Sequence, residues 1–314
     1  MEGSSWNSRR SFLKRSTYAG VGIIGLKPYG ISALPADEKR TLRIIHTNDM
    51  HSHIDPFPDD DPRYPGQGGM AERAYMIDRL RSDVDRVLLL DAGDIFQGTP
   101  YFNYFGGSLE LELMSQMGYD AATMGNHDFD GGMDGFEKAL EKCDFPFLCS
   151  NYDFTDTILE GRTDDHRVFK RSGMRIGVFG LGIRLKGLVD SRLCAGVRYL
   201  DPITVAREQV KQLKEERKCD LVICLSHLGY AYEIDQVSDR IIAEQVDGID
   251  LIIGGHTHTF LDHPVAIEKQ ESDITYINQV GWAGVRLGVL DFELALDNRV
   301  KGKVMHSLDV RDKA

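Results

Sequence analysis

The chain reads as an α/β fold, and three observations predict it. Short unbroken apolar runs recur, as in Val87-Leu88-Leu89-Leu90, Leu221-Val222-Ile223-Cys224-Leu225 and Leu251-Ile252-Ile253. A strand buried on both faces has this character, and such strands belong to parallel sheets covered by helices. Between the runs lie stretches whose apolar residues repeat at helical spacing. Finally, Asp, Asn and His side chains gather just after the runs, where open α/β sheets build their sites.

Taken in order, Leu42-Arg43-Ile44-Ile45 predicts a first strand that delivers His46-Thr47-Asn48-Asp49-Met50-His51 into a loop. Residues 55–69 are a Pro/Asp/Gly loop. Its acidic run Asp59-Asp60-Asp61 reads as a solvated loop rather than a calcium site, because adjacent like charges repel and stay wet. Residues 70–82 predict a helix, with Met70, Ala74, Ile77 and Leu80 on one stripe. The buried strand 87–90 ends in Asp91-Ala92-Gly93-Asp94, and Gly98-Thr99-Pro100 turns the chain. A short helix follows over 109–117, then a strand over 121–124 leading to Asn126-His127. Residues 135–142 read as helix and 145–149 as strand, whereas 153–170 is a patternless excursion or short hairpin. Residues 174–179 are a strand. Asp201-Pro202 starts a helix as N-cap and first-turn proline, with Ile203, Ala206, Val210 and Leu213 on one stripe. Strand 221–225 ends at Ser226-His227, a helix spans 234–246, and strand 251–253 ends in Gly254-Gly255-His256-Thr257-His258. Strands over 265–267, 274–278, 286–296 and 300–304 close the chain as a largely antiparallel sheet.

With 314 residues the chain is long enough for one large α/β domain or two small ones, and a single domain is assigned to 37–314. The first 36 residues form an address. Ser8-Arg9-Arg10-Ser11-Phe12-Leu13-Lys14 has the form of a twin-arginine export signal. The apolar stretch behind it, 18–26, is too short to span a bilayer, which takes about 20 residues. These features predict a periplasmic or extracellular location and no stable membrane span. Gly20-Val21-Gly22-Ile23-Ile24-Gly25 fits G-x-G-x-x-G, but no strand precedes it, so it carries no dinucleotide site. Residues 37–314 hold 32 basic and 48 acidic residues, a net −16. That excludes a nucleic-acid partner, which needs a basic face. A small phosphorylated substrate stays compatible if bound cations reverse the local field. Five cysteines without a C-x-x-C pair exclude a thiolate zinc site, and Cys219 and Cys224 read as buried thiols.

The chemistry lies in five loops: Asp49/His51, Asp94, Asn126/His127, His227 and His256/His258. Asn126 offers a neutral oxygen. His127 can act as acid or charge stabiliser, and Asp130 three residues on can fix its tautomer. One sheet edge can gather all five loops. The set of Asp, Asn and His without thiolate suits two divalent ions about 3.5–4 Å apart, bridged by one carboxylate. Mn, Zn, Fe and Co all tolerate such donors. His46, His53, His166, His263 and His306 read as ordinary core or surface histidines, with His53 able to support the site from behind.

The blocks H-T-N-D-x-H at 46–51, G-D at 93–94, G-N-H-x-F-D at 125–130, S-H-x-G at 226–229 and G-G-H-T-H at 254–258 stand in order. Through them the chain resembles the metallophosphoesterase superfamily, and more narrowly the catalytic domain of the 5′-nucleotidase family. The resemblance implies a four-layer α/β/β/α sandwich of two mixed sheets flanked by helices. It implies one ion on Asp49, His51, Asp94 and His258, and another on Asp94, Asn126, His227 and His256, bridged by Asp94. It makes His127 and Asp130 the catalytic pair, with Asn126 and His127 against the substrate. The implied activity is metal-dependent phosphomonoester hydrolysis by activated water, with a nucleotide as substrate. Phosphodiester or nucleotide-sugar pyrophosphate hydrolysis is the alternative on the same site. Gln97 stands where purple acid phosphatases carry tyrosine, and no arginine follows Asp94 as in protein Ser/Thr phosphatases. The family's base-stacking C-terminal domain has no counterpart before Ala314, which leaves two alternatives: a separate chain that supplies that surface, or a less selective phosphatase.

Overall fold

The computed structural model describes residues 40–84, 86–171, 173–269, 274–294 and 300–310. The export segment at 1–36 therefore lies outside the described residues. Those described belong to one unit, Lys39–Ala314. Its first sheet has strand order β13-β12-β1-β2-β3, with β1 Arg40–Thr47, β2 Val87–Asp91, β3 Ala121–Ala122, β12 Arg286–Leu294 and β13 Val300–Asp309. The second has order β10-β11-β9-β8-β6-β5, with β5 His166–Arg171, β6 Met174–Leu181, β8 Leu221–Ser226, β9 Leu251–Gly254, β10 Val265–Glu268 and β11 Ile274–Asn278. A small ribbon pairs β4 Tyr152–Asp153 with β7 Arg198–Tyr199. Strands β6, β8, β9 and β11 run parallel, and β5 and β10 close the edges antiparallel.

Side-chain alternation along the strands builds the four layers. Leu42, Ile44, Leu88 and Leu90 of the first sheet meet Ile176, Val178, Ile223, Leu225 and Ile253 of the second in one buried cluster. The intervening Ile45 and Leu89 turn the other way, onto α1 Met70–Ser82, α3 Ser108–Met117 and α4 Gly132–Ala139 through Ile77, Leu111, Met114 and Phe136. Val222, Cys224 and Ile252 likewise face α5 Pro202–Lys211 and α6 Asp239–Gln245 through Val205, Ala206, Val210 and Ile242. Runs apolar at every position are thus buried on both faces, which stacks helix, sheet, sheet and helix.

Several elements depart from the sequence reading. The closing strands do not share one sheet. Strand β11 joins β9 in parallel, with Ile277 opposite Ile252, whereas β12 crosses to pair antiparallel with β1. Hydrophobic alternation fits either sheet, so it did not specify the partner. The strand expected over 145–149 makes only single bridges, Ala122 to Phe147 and Leu148 to Asp164. Pro146 has no N–H to extend a ladder there. Pro100 begins a helix, α2 Pro100–Phe105, after an extended Thr99. The helix expected from 234 starts at Asp239, where Ser238 accepts the Ile241 N–H. On α5, Asp201 caps as expected by accepting the Thr204 N–H, but Val205 is buried where Ile203 is only half-buried. Asp59 and Asp60 are exposed in a turn, and Asp61 Oδ1 accepts the Arg63 and Tyr64 N–H groups. Cys219 and Cys224 are buried free thiols. Among the described residues no helix is long and apolar enough to cross a membrane.

Candidate active site

The loops after β1, β2, β8 and β9 and the one after β3 converge at one edge of the sandwich. Two clusters form there: Asp49, His51 and His258 in one, and Asp94, His227 and His256 in the other. Within each, the ligand-type atoms lie within 4.8 Å of one another. His51 Nε2 and His258 Nε2 are 3.0 Å apart, and His258 Nε2 is 3.4 Å from Asp49 Oδ1. In the other cluster His227 Nε2 is 3.0 Å from Asp94 Oδ2. That same Oδ2 is 3.9 Å from His51 Nε2, so Asp94 stands between the clusters.

Hydrogen bonds behind these side chains fix which atoms face inward. His227 Nδ1 donates to Ala92 O at 2.7 Å and His51 Nδ1 to Gln97 O at 3.0 Å, leaving each Nε2 for the centre. The His256 N–H donates to Asp49 Oδ1 at 2.9 Å. Gly125 is required because a Cβ there would collide with Asp94 Oδ1. The backbone is bent hard at these points. Asp49, His51, Asp94, His256 and His258 all have φ between 47° and 69°, a region that non-glycine residues enter at a cost. Ser52, Gln97 and Ala283 beside them share it.

Asn126 is buried, and its Oδ1 has no hydrogen-bond partner. The next residue's N–H, from His127, donates to Asp94 Oδ1 at 2.7 Å, which ties this loop to Asp94. His127 Nδ1 lies 2.7 Å from Asp130 Oδ2, and its ring meets His51 edge-on at 5.2 Å. About a third of its side chain is open to solvent, at 36%. Burial lowers the His127 pKa, but the Asp130 hydrogen bond and the nearby Asp94 charge outweigh it and raise the pKa above its ordinary value. Burial holds His51 below the ordinary histidine value and His256 at about 4, so both are neutral imidazoles, the ligating form. His227 opposes its own burial through the Asp94 carboxylate and is pushed up to about 10.

Two residues here carried no role in the sequence reading. Asp128 is buried and accepts four backbone N–H groups: Gly125 at 2.8 Å, Asp94 and Ile95 at 3.0 Å, and Phe96 at 3.1 Å. It therefore fastens the Asp94 loop to the Asn126 loop. Asn48 links strand ends in the same way. Its Nδ2 donates to Asp49 Oδ2 and to Gly281 O, both at 2.7 Å, and its Oδ1 accepts the Val280 N–H. Their position inside recognisable blocks was the signal available. His53 lies beside the site, stacked on Phe57.

Residues 42–260 match the Calcineurin-like phosphoesterase family. The chain belongs to this family. Among curated relatives, the trifunctional nucleotide phosphoesterase protein YfkN of Bacillus subtilis is 30% identical over 320 residues, covering 88% of this chain and 20% of that protein. The 5′-nucleotidase of Bos taurus is 31% identical over 235 residues, covering 72% of this chain and 40% of that protein. The 5′-nucleotidase precursor of Thermus thermophilus superposes with a TM-score of 0.75 at 28% identity, covering 86% of this chain and 54% of that one. The chain thus spans well under half the length of these curated relatives. Membership of a calcineurin-like phosphoesterase family implies divalent metal ions, and the residues present fit them. Asn126 offers a buried oxygen with no other partner, His51 and His256 are held neutral, and His227, its pKa raised beside Asp94, would release its Nε2 proton on binding an ion. The donors are oxygen and imidazole nitrogen, suited to hard-to-borderline ions.

Proposed function

We propose that this calcineurin-like phosphoesterase is a metal-dependent phosphomonoester hydrolase with a 5′-nucleotidase-like preference for nucleotides. The observation that carries the reading is the paired ligand clusters meeting at Asp94 with the His127–Asp130 pair on their open side. Asp49, His51, Asp94 and His258 would hold one ion, and Asp94, Asn126, His227 and His256 the other. Such ions supply Lewis acidity toward phosphoryl oxygens and lower the pKa of the attacking water. Asn126 and His127 contact the phosphoryl group. Water attacks phosphorus in line and gives up a proton to solvent, the bond from phosphorus to the leaving oxygen breaks, and the departing alkoxide takes a proton. His127 supplies that proton from Nε2, the nitrogen that Asp130 leaves free. Its raised pKa favours the cation that can do so.

The names of several relatives support nucleotides as substrates. A broader phosphoesterase that also opens diesters is the second reading, favoured by the match of 88% of the chain to a trifunctional nucleotide phosphoesterase. The S-R-R-x-F-L-K run supports export of a catalytic domain at 37–314 behind a signal at 1–36. The test is ester hydrolysis by the metal-loaded protein, read as phosphate from 5′-AMP and as released phenolate from p-nitrophenyl phosphate and a bis-aryl phosphodiester, side by side. Faster turnover of 5′-AMP supports the nucleotide reading. Faster diester cleavage replaces it with the second. No metal-dependent turnover of any ester sinks both.

A further inference from the structure

Beside the Asp49 cluster, five aromatic rings pack on one another rather than into a core. Trp282 lies nearly parallel to His258, at 11° with centroids 5.8 Å apart. Trp282 meets Tyr64 at 6.3 Å, and Tyr64 stacks on Phe260 at 6.2 Å. His53 and Phe57 close the flank, stacked at 4.8 Å and both edge-on to Trp282. All five rings are half-buried, and none belongs to the three buried clusters that join the layers. Large ring surfaces left part-wet in one contiguous patch mark a binding surface more often than a structural one. This patch starts at a ligand-type histidine. At its far end Tyr64 and Phe260 line a cavity of about 250 Å³ with Arg63, Gln67 and Arg286.

The wall is anchored from beneath. Arg73 is fully buried, and its guanidinium donates to Gly284 O at 3.3 Å and to His53 O at 3.0 Å. A Cβ at Gly284 would collide with that guanidinium. Ala283, next to Trp282, donates its N–H to Asp49 O at 2.7 Å and has a φ of 56°. The loop carrying Trp282 is thus tied directly to a ligand-bearing residue. Wall and ligand cluster hold a fixed relation, which lowers the ordering cost of any ligand spanning both.

We propose that this wall is a stacking subsite, within the catalytic domain itself, for a planar heterocycle carried by the leaving group: the base of a nucleoside phosphate. The proposal rests on the phosphomonoesterase reading, which puts the phosphoryl group at the ligand clusters. Ring centroids run from His258 to Trp282 and on to Tyr64 in steps of 5.8 and 6.3 Å, giving the base a platform beside the phosphoryl position. Stacking on aromatic faces is tolerant of base identity because every base has a π-face. The wall therefore selects nucleotides over small aliphatic phosphates while discriminating weakly among bases.

The chain has two tryptophans, Trp6 and Trp282, so Trp6→Phe makes Trp282 the sole indole reporter. Adenosine added to that metal-loaded full chain should quench its fluorescence saturably, ribose should not, and Tyr64→Ala should weaken the apparent affinity several-fold. In turnover, Trp282→Ala should raise KM for 5′-AMP about tenfold, within the usual worth of one base–aromatic stack. Its KM for glycerol phosphate should rise far less than that for 5′-AMP, its bound metal should be retained, and Trp282→Phe should recover most of the loss. Absence of adenosine quenching, or an equal KM rise on both esters, overturns the subsite. Saturable quenching with neither ester hydrolysed leaves the subsite standing and removes the phosphomonoesterase reading.

Discussion

His127 is where position and charge can be tested separately from metal binding. Its Nδ1 is held by Asp130 at 2.7 Å, and its pKa is raised by that contact and by Asp94 against the effect of burial. If His127 protonates the leaving alkoxide, His127→Ala should lower kcat by about 10²–10⁴-fold, the usual worth of general acid–base help. Bound metal, read by elemental analysis, should be unchanged. Asn126→Ala should do the converse first and lose one of two ions, because its Oδ1 is the buried oxygen without another partner. Near-full activity of His127→Ala would remove the acid role. This pair was legible from spacing alone, because residues three apart in a tight turn face one another, and His127–Phe129 is such a turn. Asp128 was not. Its partners on the Asp94 loop lie 32 to 34 residues upstream, and no local rule links an acid in a turn to distant N–H groups.

At the scale of elements, strand β1 shows why the layers were readable and the sheet partners were not. Leu42 and Ile44 face the second sheet, and His46, next in the same alternation, lies 2.9 Å from Asn278 on β11 across the gap. Apolar runs announce burial on both faces, but period-two patterning carries no address for the neighbour. Strand β12 could thus be expected beside β11 when it pairs with β1. Burial lowers the His46 pKa to about 3, so the folded ring is neutral. An unfolded histidine titrates near 6.5, so below that pH the unfolded chain binds a proton that the folded one refuses. The stability tied to this ring is therefore complete above about pH 6.5 and lost as pH falls toward 3. Urea unfolding of His46→Gln should show a shallower acid loss than wild type, by at most one proton, about 1.4 kcal/mol per pH unit. Parallel slopes between pH 6.5 and 4 would show that His46 does not carry the effect. Loop fastening gives a second element-scale expectation. Asp128→Ala leaves four buried N–H groups without an acceptor, at roughly 1–3 kcal/mol each. It should lower the unfolding free energy by at least about 4 kcal/mol and weaken metal retention as well.

Over the whole molecule, the sandwich gathers ligand-type groups at one edge and bends the backbone there. Five of the seven proposed ligands have φ between 47° and 69°, and His227 and Asp94 hold each other as a buried charged pair. Strained residues cost on the order of 1–3 kcal/mol each and persist where the surrounding structure over-determines them. Divalent ions at these clusters would bind the folded chain and stabilise it by mass action, by about 2.7 kcal/mol per site at a hundredfold excess over Kd. For a domain of this size about 1 kcal/mol moves Tm by roughly 2–4 °C. Chelation should therefore lower Tm by about 5–10 °C per emptied site, and adding back Mn or Zn should restore it. Asp201→Ala is the control. It removes the α5 cap, worth about 1 kcal/mol, at a position outside both ligand clusters. Its Tm loss should be the same with and without metal, because independent sites add. Asn126→Ala should instead shrink the chelation response itself, since one of the two ions would already be missing. A Tm indifferent to chelator in wild type would mean that these clusters do not hold ions in the folded chain, whatever their geometry.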